Sequence, residues 1–176
     1  MHSVELLPDE RTETAVRDVW ARMARAGLPS MAAHRHPTNR PHLTLATAEI
    51  LLPDTRARLG EALAVLPVPL RLDGLVRFTG RRQVLAWAVG PDEALLRLHE
   101  TVWHILRGSP GSGPPDPLLD PARWVPHLTL GRGRDMPPDV SDAEVFPPAP
   151  GSVLTGRWTG ARCYDSVTRT TGPPAG

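Results

Sequence analysis

The chain has 176 residues, a formal net charge of +1, and 22% charged against 40% hydrophobic residues, which is typical of a globular domain rather than a disordered chain. So small a net charge gives no general attraction to polyanions, and the absence of lysine excludes Schiff-base and phosphate-loop lysine chemistry. The single cysteine, Cys163, excludes an internal disulfide and a cysteine-rich zinc site, and it favours a reducing, cytoplasmic setting.

Hydrophobic periodicity divides the chain into alternating strands and helices. The clearest helix is predicted at 91–106, where Leu95, Leu98 and Val102 form part of one apolar stripe. No apolar run approaches the roughly 18 residues of a membrane span, so we expect no membrane partner. The other predictions are strands at 2–7, 42–48, 68–78, 83–89 and 125–131, helices at 13–26 and 54–66, and a polar loop at 30–40.

The order of these elements repeats. Strand, helix and strand occur before residue 48 and again between about residues 83 and 131, as expected of two similar lobes. The segment 132–151 is proline-rich and is predicted to be irregular, and a final hairpin is predicted from strands 153–158 and 161–168 around Thr159 and Gly160. We expect one domain at 1–171 and a flexible tail at 172–176.

Five consecutive residues, Pro-His-Leu-Thr-Leu, occur twice, at 41–45 and 126–130. In a strand, alternate side chains point to opposite faces, so His42 and Thr44 share one face while the leucines enter the core. The same holds for His127 and Thr129. Two such strands placed side by side would direct two His–Thr pairs into one cleft.

This set of groups suits displacement at phosphorus. One imidazole removes a proton from the attacking oxygen and the other protonates the leaving oxygen, and each transfer contributes roughly 10²–10⁴-fold to the rate. The hydroxyls of Thr44 and Thr129 can donate to phosphate oxygens as charge develops. The scheme requires no metal and no other cofactor.

The paired motifs resemble those of the two-histidine (2H) phosphoesterase superfamily, and the stretch Trp-Val-Pro-His-Leu-Thr-Leu-Gly-Arg at 124–132 is similar to its bacterial 2′-5′ RNA ligase-like branch. The resemblance implies a bilobal α+β fold with pseudo-two-fold symmetry, antiparallel sheets around a central cleft and helices outside. It implies a metal-independent enzyme that opens 2′,3′-cyclic phosphates of RNA ends or nucleotides to 2′-phosphomonoesters. His42 and His127 would be catalytic, and Thr44 and Thr129 would bind phosphate. We favour His127 as the base and His42 as the acid.

Four further residues are candidate substrate contacts. Arg40 and Arg132 flank the two motifs and could contact phosphate, although a solvated surface position is the alternative for both. Trp124 could stack on a base or pack in the core. Tyr164, the only tyrosine, lies on a predicted final strand from which it could reach the cleft.

Three alternative functions remain open. The same cleft could bind RNA or a nucleotide without catalysis. A metal-dependent hydrolase could use His34 and His36, which have metal-ligand spacing but no nearby carboxylate in sequence. RNA ligation is the reverse chemistry at the same site. For the phosphodiesterase we expect a monomer.

Overall fold

The computed structural model of the protein describes residues 1–134, 136 and 153–174. In these ranges the chain forms one antiparallel sheet of seven strands and three α-helices, of which the first and third pack against the sheet and the second packs against the third. None of these helices combines the length and the apolarity that a membrane span requires. The elements in chain order are β1 (His2–Pro8), α1 (Glu10–Arg25), β2 (Leu43–Ala48), α2 (Pro53–Leu63), β3 (Val68–Phe78), β4 (Gln83–Val89), α3 (Glu93–Arg107), β5 (His127–Gly133), β6 (Leu154–Asp165) and β7 (Thr170–Gly172).

All three predicted helices are present, but their ends differ from the prediction by up to three residues. Helix α1 begins three residues early because the Asp9 side chain accepts a hydrogen bond from the Thr12 backbone N–H and caps the helix. Asp92 caps α3 in the same way through the N–H of Ala94. Helix α2 ends at Leu63, three residues before the predicted end. Side-chain caps therefore set the starts of α1 and α3, which the hydrophobic pattern alone did not show.

The strand order in the sheet is β2-β1-β6-β3-β4-β5, with β7 added beside β6. The two motif strands, β2 and β5, thus lie at opposite ends of this order and are not hydrogen-bonded neighbours, so the side-by-side arrangement was wrong. They nevertheless contact each other, and α1 packs against β5 while α3 packs against β2. The sheet therefore curves so that its edge strands, β2 and β5, approach each other. Helix α1 of the first half covers β5, and helix α3 of the second half covers β2.

Strand β6 is continuous, so the predicted hairpin at 153–168 was also wrong. Its first part pairs with β3 and its second part with β1, and Trp158 pairs with both Val68 and Pro8. The register shifts between Leu7 and Pro8, so Thr159 is the extra residue of a bulge rather than part of a turn. One long strand in this way joins the two halves of the sheet.

Two sequence predictions fall partly beyond the described residues. The irregular segment predicted at 132–151 lies mostly outside them, and β5 itself continues to Gly133. The expected tail is described only as far as residue 174, and β7 includes Gly172 through its pairing with Cys163.

Candidate active site

The two motif histidines have the same hydrogen-bonding arrangement. The Nδ1 atom of His42 lies 2.7 Å from the backbone carbonyl of Arg40, and that of His127 lies 2.8 Å from the carbonyl of Val125. A carbonyl oxygen can only accept, so in both rings Nδ1 carries the hydrogen. Each Nε2 is consequently the atom that can take or give a proton to a substrate.

The strands that carry the motifs share a second feature, a bulge at the same place. Between β1 and β2, Ala46 pairs with Val4 and Thr44 with Glu5, which leaves Leu45 as the extra residue. Between β4 and β5, Leu130 is the extra residue for the same reason. Both bulge leucines are fully buried. A bulge bends a strand and redirects its side chains, so both motifs bend alike next to the candidate site.

An indole N–H supports each motif threonine from the other half of the molecule. Trp20 of α1 donates to the carbonyl of Thr129 over 3.1 Å, and Trp124 donates to the carbonyl of Thr44 over 3.3 Å. These carbonyls belong to the edge strands of the sheet, which have a strand partner on one side only. One hydrogen bond therefore ties β5 to α1, which precedes the first motif. The other ties β2 to Trp124, which precedes the second motif.

A cavity of about 440 Å³, here called the central cleft, is lined by residues of both motifs. His42, which directly precedes β2, and Thr129 of β5 both lie in its wall. Thr44 and His127 are not among the described residues in its wall. The full lining is Glu5, Met31, His34, His36, Thr38, Asn39, His42, Thr129, Arg132, Arg162, Tyr164, Ser166 and Arg169.

His127 lies beside the central cleft in an environment that disfavours a proton. Burial lowers its pKa below the ordinary histidine value, and the charge of His42 lowers it further, against the opposing effect of the Val125 carbonyl. The two imidazoles are therefore close enough to influence each other's charge. The ring of Phe78 packs on His127 at a centroid distance of 4.5 Å and a tilt of 50°. The lowered pKa favours the neutral form of His127 near neutral pH, and this form can accept a proton.

His42 has a charged neighbour that the sequence prediction missed. The Oε1 atom of Glu5 lies 3.7 Å from its Nε2, and the other carboxylate oxygen of Glu5 accepts a 2.7 Å hydrogen bond from Nε of Arg162. The only sequence signal for this pair was a lone acidic residue between the two buried apolar residues of β1, Val4 and Leu6. Its partner is 157 positions away, beyond the reach of local patterns.

The four candidate substrate contacts occupy different environments. Arg132 and Tyr164 line the central cleft. Arg40 instead forms an ion pair with Glu13 of α1, with an N–O distance of 2.5 Å. Trp124 stacks on His99 at a centroid distance of 3.6 Å and packs partly buried against the core. The structure therefore brings Arg132 and Tyr164 together with His42 and Thr129, and it places Arg40 and Trp124 elsewhere.

The loop between α1 and β2 forms one wall of the central cleft. His34 and His36, considered above as metal ligands, both lie there. Burial lowers the pKa of His34, and the charges of Arg132 and Arg82 lower it further. In the described part of the chain, no three His, Cys, Asp or Glu side chains gather in a way that could hold a metal ion. Arginine charges therefore surround His34, and one of these arginines, Arg132, lines the same cleft.

Comparison of the whole fold finds solved structures of similar architecture. TT0787 of Thermus thermophilus is 21% identical, with a TM-score of 0.60 over 93% of this chain and 87% of that one. E. coli LigT in its apo form is 19% identical, with a TM-score of 0.54 over 97% of this chain and 91% of that one. Kluyveromyces marxianus Usb1 is 19% identical, with a TM-score of 0.54 over 98% of this chain and 97% of that one.

These similarities confirm the α+β architecture that the motif resemblance implied. No curated protein sequence matches the chain significantly. The family model described as the 2′-5′ RNA ligase superfamily matches residues 8–154, which is most of the chain and includes both motifs. The chain therefore belongs to the 2′-5′ RNA ligase superfamily of two-histidine phosphoesterases.

Proposed function

We propose that the protein is a metal-independent phosphodiesterase that opens a 2′,3′-cyclic phosphate of RNA or of a nucleotide to a 2′-phosphomonoester. The observation that carries this proposal is the matched pair of histidines. Each directs its Nδ1–H to the carbonyl of the residue two positions earlier, which leaves both Nε2 atoms for proton transfer beside one cleft. General acid–base catalysis needs two such groups on either side of the reacting phosphorus.

The roles follow from the environments of the two rings. His127, with its lowered pKa, takes a proton from water, and the water oxygen attacks phosphorus. The bond from phosphorus to the 3′ oxygen breaks, and His42 gives its proton to that oxygen. The hydroxyls of Thr129 and Thr44 donate to the non-bridging phosphate oxygens, where negative charge accumulates. Arg132 and Tyr164 contact the remainder of the substrate from the walls of the central cleft.

Similar proteins support a nucleotide substrate. One structure of Usb1, 17% identical to this chain with a TM-score of 0.52, contains uridine monophosphate. The lining of the central cleft is rich in arginine and histidine, which suits a phosphate ester. We propose that the protein is a cytoplasmic monomer. It acts on an RNA end or a cyclic nucleotide and uses no cofactor.

The proposal is tested by hydrolysis of 2′,3′-cyclic nucleotides and of an oligonucleotide with a cyclic phosphate end, in the presence of a chelator. We expect turnover that survives the chelator, yields the 2′-phosphate, and falls at least about a hundredfold in His42→Ala and in His127→Ala. His104→Ala is the matched control, because that side chain is exposed on α3. Binding without turnover in the folded wild-type protein would contradict the proposal and favour a binding module. Loss of activity in the chelator would favour a metal-dependent hydrolase.

A further inference from the structure

The two halves of the site are alike in their motifs, their bulges and the tautomers of their histidines, but they differ in the residue that pairs with the motif threonine. Next to the bulge in the first half, Glu5 of β1 pairs with Thr44. At the equivalent position of the second half, Ala86 of β4 pairs with Thr129. One motif therefore faces a carboxylate and the other a methyl group. This difference adds to the burial that lowers the pKa of His127 in making the two histidines inequivalent.

Glu5 is held in a buried network. It is 2% exposed, and Arg162, which donates to its Oε2 atom, is 8% exposed. Arg162 also donates to the carbonyl of Thr38 over 2.9 Å, and the Ser3 hydroxyl donates to Oε1 of Glu5 over 2.6 Å. Burying two charges is costly, and a buried ion pair often contributes nothing to stability compared with apolar residues. The network fixes Oε1 of Glu5 at 3.7 Å from the catalytic nitrogen of His42.

We propose that Glu5, held by Arg162, is a positioning residue that keeps the proton on His42 and thereby makes His42 the general acid and His127 the base. This inference rests on the proposed function. Glu5 is the only acidic side chain among the described residues of the central cleft. The ion pair with Arg162 at the same time reduces the repulsion that a bare carboxylate would exert on a substrate phosphate.

The other charged or titratable groups around His42 act in the opposite direction. They are cationic or neutral, and a positive neighbour disfavours a second positive charge. Among the described residues of the cleft, Glu5 is the only charged group that favours a proton on His42, and the burial of His127 favours the same assignment of roles. These groups are Arg162 and Tyr164 of β6, His127 and Arg132 of β5, His34 and His36 of the loop before β2, and Arg169 of the turn before β7.

The test is the pH dependence of kcat/KM in the wild type and in Glu5→Gln. Activity rises with pH as the base loses its proton and falls as the acid loses its own. Without the carboxylate, His42 loses its proton at lower pH. We therefore expect the falling limb of the profile to move down by about one pH unit, which is roughly a tenfold loss on the alkaline side. The rising limb should stay in place. A merely structural role for Glu5 would lower activity at all pH values alike.

Two further variants keep this test decisive. Glu5→Gln leaves Arg162 buried without a counter-charge, so the double variant Glu5→Gln/Arg162→Met serves if the single variant does not fold. It should move the falling limb in the same direction by less, because the loss of the guanidinium offsets part of the effect. The control is Glu93→Gln, which breaks an exposed arginine–carboxylate pair on α3 and should leave both limbs unchanged. An unmoved falling limb, or a shift of the rising limb instead, would overturn the inference.

A failure of the proposed function can be distinguished from a failure of this inference. If the wild type turns over no cyclic phosphate, NMR titration of the histidine rings still reports where His42 and His127 lose their protons. The two signals are assigned by their loss in His42→Asn and His127→Asn. Retention of the proton by His42 to higher pH than by His127, and a smaller difference in Glu5→Gln, would support the inference. Equal titration of both rings in the wild type would contradict it.

Discussion

Gly131 in β5 passes so close to Pro29 that a β-carbon on Gly131 would overlap the Pro29 carbonyl oxygen. Pro29 belongs to the chain that follows α1, and Gly131 directly follows the bulge residue of the second motif. The equivalent residue of the first motif, Ala46, carries a β-carbon in a fully buried position. The glycine therefore lets the loop wall of the central cleft approach the second motif strand more closely than the symmetry of the motifs alone would allow.

Replacing Gly131 by alanine should destabilise the protein. The atom that the new methyl group meets is a backbone oxygen, which cannot move aside as a flexible side chain can. We expect a loss of about 1–3 kcal/mol in the free energy of unfolding, as for other overpacked sites, measured by urea denaturation. The loop carries His34 and His36, so activity should also fall.

The control for this prediction is Gly160→Ala in β6. A β-carbon at Gly160 would meet only the side chain of Leu7, at an ordinary contact distance of 3.8 Å. This variant should unfold near the wild-type midpoint. Equal midpoints for Gly131→Ala and Gly160→Ala would show that the loop can move away from β5 without cost.

The sequence predicted the elements whose signal is local. Strands β3 and β4 have the predicted bounds, 68–78 and 83–89, because short turn residues separate two apolar runs. The two motifs were found through their identity, and the fold was inferred through their resemblance to a superfamily. The bounds of β6 could not be found in this way. Thr159 and Gly160 resemble a turn locally. Only the pairing of β6 with β1 on one side and β3 on the other makes the strand continuous.

The candidate site was predicted only in part, for a related reason. His42, Thr129, Arg132 and Tyr164 lie in one cleft, as their placement in predicted strands allowed. Glu5 was missed because its importance depends on Arg162, a partner from the far end of the chain. Trp124 is adjacent to a motif in sequence, yet it stacks on His99 because α3 packs against β2. Contacts across the curved sheet decide these positions, and periodicity carries no information about them.

Arg132 and Arg40 provide a matched test of substrate binding, since each flanks a motif. Arg132 lines the central cleft, and among the described residues no carboxylate lies within ion-pair distance of it. Arg132→Gln should therefore raise KM by about tenfold or more, as expected for the loss of a charge-assisted hydrogen bond, with a smaller change in kcat. Steady-state kinetics on a cyclic-phosphate-ended oligonucleotide measures this.

Arg40→Gln is the control, because its guanidinium is occupied by Glu13. It should leave KM unchanged and lower stability by less than about 1 kcal/mol, as for a partly exposed ion pair. A rise in KM as large as that of Arg132→Gln would mean that Arg40 leaves Glu13 to bind substrate.

His99 makes the stability of the protein depend on pH. It is 1% exposed on α3, and burial lowers its pKa to about 4, despite the opposing effect of backbone groups at Leu119 and Leu45. A histidine with a lowered pKa binds its proton more tightly in the unfolded chain, where the value is about 6.5. Stability is therefore fully present above about pH 6.5 and is lost as the pH falls towards 4, by about 3 kcal/mol from this residue.

Two variants on α3 test this pH dependence by urea denaturation at pH 7 and at pH 4. His99→Phe keeps a ring for Trp124 to stack on and removes the titration, so its stability should change less between the two pH values than that of the wild type. His104→Gln removes an exposed histidine from the same helix and should retain the wild-type pH dependence. If His99→Phe instead retained it and His104→Gln lost it, the acid sensitivity would come from the surface of α3 and the buried ring would not be its source.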